Sequence, residues 1–222
     1  MTTEKKLFRI LLAGSLLAIV LAVIRVNITG KFSYIFLTWN LFLAWIPLII
    51  STQLKKHDIW NKSKIIFVIL LSFWLLFFPN APYILTDLFH LRERKGMPLW
   101  FDLTLILSFA WVGLIVGFIS LMQMQFMLKR IIGNHLTLAA TILILIVCAF
   151  GIYLGRYDRY NSWDVNTNPV SLFRDILVYV IHPLKHIKVY GVTVVFSSFL
   201  ILSYLTIELL TQYKITKNKN HD

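Results

Sequence analysis

IIFVILLSFWLLFFPNAPYILTDLFHL, from Ile65 to Leu91, decides how this chain is read. Its first half, Ile65 to Phe78, is apolar except for Ser72, as a membrane helix must be. At the standard rise that half covers about 21 Å, too little for a hydrocarbon layer of about 30 Å. Pro79 and Pro82 then remove two backbone donors and push Phe78 and Ala81 away from helical geometry. The segment therefore either breaks, with the break buried in protein or lining a wet cavity, or continues as a kinked helix to Leu91. Either way Asn80, Tyr83, Asp87 and His90 recur at three- and four-residue spacing. Polar groups are expensive at the mouth of a span, so this stripe is the first candidate site.

The rest of the chain fits the same frame. Of its 222 residues 58% are apolar and 14% charged, with a mean hydropathy of +0.74. Soluble domains hold roughly 45–50% apolar and about 25% charged residues, so a soluble core is excluded. Six apolar runs, at about 8–26, 34–52, 64–85, 101–128, 136–154 and 189–210, predict an all-α polytopic bundle of six transmembrane helices. Short links leave no room for a separate soluble domain, so residues 1–222 are expected to form one membrane domain.

The net charge of +12 does not mark a nucleic-acid binder, because the basic residues sit in short loops beside spans. There they set topology and meet anionic membrane lipids. Lys5, Lys6 and Arg9, Lys55, Lys56, Lys62 and Lys64, and the C-terminal KITKNKNHD predict both termini in the cytoplasm. The first run ends in Ala22-Val23-Ile24-Arg25-Val26 without a cleavage site and reads as an uncleaved anchor in the cell membrane. The single cysteine, Cys148, excludes an intramolecular disulfide and a cysteine metal cluster; it reads as a packing residue.

The outward face carries the remaining candidates. Asp87 and His90, three residues apart, share a helical face and read as an acid/base or metal pair. A helix end showing its polar side to water is the plain structural alternative. Asp102, behind Trp100 and Phe101, either closes onto the same cavity or caps its helix. GRYDRYNSWD, residues 155–164, offers Arg156 and Arg159 as anion anchors, with Asn161 and Asp164 beside aromatics suited to sugars or headgroups. An aromatic belt with Arg–Asp pairs pinning the loop accounts for the same residues. Asn168-Pro169 is an N-cap and N1 pair, and 170–181 predicts a short interfacial amphipathic helix between the fifth and sixth spans. Pro183 ends that helix or starts the next turn.

His182 and His186 form an HxxxH that could join His90 in a zinc-type site with an open position for water. Pro183 inside it and the missing glutamate argue for ordinary interfacial histidines. No nucleophile elbow, Walker loop, dinucleotide fingerprint or arginine ladder is present. Gly113 and Gly117 form a GxxxG suited to close helix packing.

FFPNAPYILTDLFHL, followed by WFD and later by RYNSWD, resembles the bacterial multi-pass membrane family called domain of unknown function 1361. The resemblance implies a small polytopic membrane protein and supplies no catalytic residues. Two functions stay open from the sequence. One is an enzyme on a lipid or envelope substrate, with Asp87 and His90 at its centre and Asn80, Tyr83, Asp102, Arg156, Arg159, Asn161 and Asp164 binding. The other is a non-enzymatic headgroup- or ion-binding protein, or a subunit of an envelope complex.

Overall fold

The computed structural model describes residues 3–219, with side chains for 4–211. Among them are six helices long and apolar enough to cross a membrane: Glu4–Thr29, Phe36–Lys56, Lys64–His90, Leu99–Ile132, Asn134–Asp158 and Pro183–Thr211. No strand occurs among the described residues, only an isolated bridge between Arg94 and Met97. This is a multi-pass, all-α membrane protein. Its many exposed large apolar side chains, such as Ile10, Leu16, Ile65 and Val68, are what a lipid-facing surface requires. The side chains of the basic C-terminal segment lie outside the described residues.

The chain divides into two compact units, Met1–Gln123 and Met124–Asp222, with the boundary inside the continuous helix Leu99–Ile132. In the first unit the core joins Leu11, Ala18 and Ala22 of the first span to Leu37, Leu41 and Ala44 of the second. Ala81, Ile84, Leu105, Ile106 and Phe109 complete it.

The third span shows how the two prolines are accommodated. A regular helix runs Lys64–Phe77, started by the Ser63 hydroxyl, which accepts from the Ile66 N–H at 3.3 Å. One α-turn, Asn80–Tyr83, and a 3-10 helix, Ile84–His90, carry the chain on, so the kinked version holds. Ala81 N–H turns back to the Phe78 carbonyl at 3.1 Å, and the Asn80 side-chain amide donates to the Phe77 carbonyl at 2.9 Å. Asn80 thus serves a carbonyl that the tightened turn leaves without its usual i+4 donor.

Close packing explains why the kink sits where it does. A Cβ at Gly113 would lie 2.8 Å from Ile84 Cδ1 and 2.9 Å from the Ala81 carbonyl oxygen; one at Gly117 would lie 2.8 Å from Ala81 Cβ. The two glycines of the GxxxG form the notch that receives the Ala81 turn. Lower in the same unit, Trp74 Nε1 donates to Ser120 Oγ at 2.7 Å. Ser51 Oγ joins Ser120 at 3.1 Å and donates to Gln123 Oε1 at 2.8 Å.

In the second unit the helix Asn134–Tyr153 packs along Ile187–Lys219, and Tyr204 donates to Gln125 Oε1 at 3.0 Å. The short helix expected between the fifth and sixth spans forms as Pro169–Ile181, led by Asn168 and Pro169. Asn168 makes no side-chain cap bond, so proline at the first turn rather than an amide cap sets this start. Only Leu172 of this helix is fully buried, against Tyr153, Leu154 and Val189. Pro183 does start the next turn, a 3-10 helix from Pro183 to His186.

Candidate functional site

The 3-10 helix Ile84–His90 places the polar stripe. Three residues per turn stack Asp87 directly below His90 on one face. Their environments differ. Asp87 is fully buried, and Asn40 Nδ2 of the second span donates to its Oδ2 at 2.9 Å. His90 is exposed, with its ring edge-on to Phe36 at 5.3 Å, and its carbonyl accepts from the Tyr34 hydroxyl at 3.2 Å. Tyr83 is half-buried, and its carbonyl accepts from the Thr86 hydroxyl at 2.7 Å.

Asp102 is neither a lone cap nor an open cavity group. Arg25, in the last turns of the first span, donates Nε to Oδ1 at 2.6 Å and Nη2 to Oδ2 at 3.0 Å. Both residues are only 1% exposed. A carboxylate and a guanidinium at the end of two spans are thereby held in a two-pronged, charge-assisted contact. The guanidinium carbon of Arg25 also lies 4.5 Å from the centre of the Tyr34 ring, and that of Arg94 lies 5.0 Å from the same ring. Burial first, and then the nearby Asp102 charge, raises the Tyr34 phenol above its ordinary value, while the charges of Arg94 and Arg25 oppose that rise. The turn bearing Arg94 folds over the first span, since a Cβ on Gly96 would meet Thr29 Cγ2 at 3.4 Å.

In the second unit the 155–164 loop is tied down in part by tyrosine hydroxyls. Two of the carboxylates accept from tyrosines: Tyr179 donates to Asp158 Oδ2 at 2.8 Å and Tyr160 to Asp175 Oδ2 at 2.7 Å. Asp164 closes a local turn, accepting from the Asn161 N–H at 2.6 Å and the Thr167 hydroxyl at 2.9 Å. The Asn161 backbone bond is the main reason its carboxyl is held below the usual carboxylate range. Burial, then Asp158, pushes the Tyr179 phenol far up. Arg156 ends the fifth span in a π-helical turn, Leu154–Asp158, and Arg159 follows in the left-handed region at φ 63°. Lys188 Nζ sits 4.1 Å above Tyr157.

His182 and His186 do not lie on one α-helix. His182 is the non-helical residue between two helices, at φ −121° and ψ 60°, and His186 belongs to the separate 3-10 turn that Pro183 opens. They share no α-helical face, and His186 packs on Tyr179 at 4.9 Å. Among the described residues no group of three or more His, Cys, Asp or Glu side chains is placed to hold a metal ion. The pocket expected from the sequence draws on both units, with Asn80, Tyr83, Asp87, His90 and Asp102 in the first and Arg156, Arg159, Asn161 and Asp164 in the second.

A family profile described as "Protein of unknown function (DUF1361)" matches residues 39–213. The chain belongs to this family. No curated protein and no solved structure matches it. The matched DUF1361 region begins after Arg25 and Tyr34, so it takes in Asp102 but not the arginine that neutralises it. Arg25, Tyr34, Asn40 and Arg94 are the site residues that the sequence reading missed. The signal for Arg25 was present: a charge inside a span needs a partner, and Asp102 is the acid at the matching end of another span.

Proposed function

We propose that this DUF1361 protein is a non-enzymatic membrane protein that binds anionic lipid headgroups at the end bearing the 30–35 and 91–98 loops. One observation carries the reading. Asp87 and Asp102, the two carboxylates best placed for chemistry, are 0% and 1% exposed, and each is engaged by a side chain from a neighbouring span. A general acid or base must reach the proton it moves, and these two are spent on holding helices together. Around them Lys31, Arg92 and Lys95 are exposed against a single acid in these loops, Glu93, which suits an anionic headgroup layer. The basic segments at the opposite end of the first unit support cytoplasmic termini, which would put this headgroup-binding end on the outer side.

The enzyme reading keeps one observation on its side. An exposed histidine one 3-10 turn from a buried aspartate is a sequence and backbone placement that orienter–base pairs also use. The test is direct: reconstitute wild type and His90→Gln in vesicles of total bacterial lipid and compare lipid species by mass spectrometry. Anionic lipid enriched around wild type, with no species converted, is expected. A lipid consumed by wild type and spared by His90→Gln would overturn the proposal in favour of catalysis.

A further inference from the structure

Arg25 carries five N–H donors, of which the two prongs toward Asp102 use one Nε–H and one on Nη2. Its Nη1 is buried and has no hydrogen-bond partner among the described residues. Arg94 repeats the pattern: its Nε is also buried and unpartnered. Both guanidinium groups lie against one ring, Tyr34. Buried donors are ordinarily satisfied, and an unmade bond to a charged group is costly, so two orphans at one tyrosine are informative. The local charge points the same way. Asp102 balances the charge of Arg25, and the half-exposed Arg94 brings a second guanidinium to the same ring. An anionic oxygen would suit both donors.

We infer that Arg25 Nη1 and Arg94 Nε mark a binding site beside Tyr34 for a phosphate group, carried by a lipid headgroup or free in solution. The inference rests on the headgroup-binding reading and names its site. Arginine suits the role, because its planar fork can hold Asp102 on one edge and a phosphate oxygen on another. Arg94 sits in the turn closed by the Arg94–Met97 bridge, half-exposed, and provides the way in. Arg25 is the buried end of the site. Exposed Arg92 and Lys95 would attract the ligand without fixing it.

The experiment compares wild type, Arg94→Gln and Arg92→Gln, the last removing the same charge from the same loop. An Arg25→Gln/Asp102→Asn double variant keeps a neutral hydrogen-bonded pair should a single change at Arg25 fail to fold. Each is delipidated in neutral detergent, then titrated with inorganic phosphate or with short-chain phosphatidylglycerol, against phosphatidylcholine as the zwitterionic control. Arg94→Gln and the double variant should weaken binding tenfold or more, the loss expected for one charge-assisted bond, while Arg92→Gln changes it about twofold by screening-sensitive attraction. Discrimination with phosphatidylglycerol alone assigns a lipid phosphate, and discrimination with inorganic phosphate as well assigns a free one. Equal phosphatidylglycerol binding by wild type, Arg94→Gln and Arg92→Gln overturns the site while leaving the headgroup reading intact. No preference of wild type for either phosphate ligand over phosphatidylcholine overturns both.

Discussion

Replacing Asp102 by alanine removes both acceptors of a fully buried arginine. Arg25 Nε and Nη2 then have nothing in place of the bonds they make at 2.6 Å and 3.0 Å. Breaking a buried pair by deleting one partner costs roughly 3–5 kcal/mol, mostly because the remaining charge is stranded. Arg25 keeps the Tyr34 ring at 4.5 Å, a cation–π contact worth about 2 kcal/mol when desolvated, which places the expected loss at the lower end, about 3 kcal/mol. At about 2–4 °C per kcal/mol for a chain of this size, the thermal midpoint should fall by roughly 6–12 °C. Arg25→Met/Asp102→Leu removes the charges together and should melt within about 1 kcal/mol of wild type or above it. The assay is fluorescence-detected size exclusion of heated, detergent-solubilised protein. If Asp102→Ala melts with wild type, or the double variant melts as low as the single one, the pair is not what holds these spans.

Gly113→Ala should destabilise by about 1–3 kcal/mol, because the new methyl meets a backbone oxygen at 2.9 Å that cannot step aside. Gly191→Ala, where the same methyl meets open space, should be neutral or stabilising in the same melt. Asn40→Leu takes a donor from buried Asp87 and should lower stability by about 1–3 kcal/mol, whereas Asn40→Gln recovers part of it. The raised Tyr179 phenol predicts a pH dependence: its contribution is complete below the ordinary value near 10 and is lost as pH climbs toward the folded value. Melting followed up to pH 11 should therefore fall less steeply for Tyr179→Phe than for wild type.

The spans were legible because their signal is coarse: a run of apolar residues long enough to cross lipid survives any detail of packing. The polar stripe was legible as well, since Asn80, Tyr83, Asp87 and His90 stand out against apolar neighbours. What each does was not. Asn80 repairs a carbonyl that the prolines leave short, a local event that depends on which way the turn tightens after Phe78. Asp87 and Asp102 take partners 47 and 77 residues away in sequence, and periodicity within one segment carries no information about which other helix lies opposite. Arg25 was hidden by its position, because a basic residue near the end of a span looks like an interfacial anchor until its acid is found. In the 155–164 loop, composition drew attention to the arginines and gave no sign that tyrosine hydroxyls from Tyr179 and Tyr160 reach Asp158 and Asp175, a neutral donor leaving less charge to desolvate.

The 77-residue gap between Arg25 and Asp102 also sets a timetable for synthesis. Translation at about 5–20 residues per second leaves the arginine without its acid for roughly 4–15 s. Throughout that interval the first span is a helix with an unneutralised cation in its last turns, and the cheapest place for that cation is the headgroup layer. The first span must therefore ride high until the fourth emerges. Burial of the arginine in protein needs Asp102 in place, so the first helix is expected to seat fully only once the fourth span has been made.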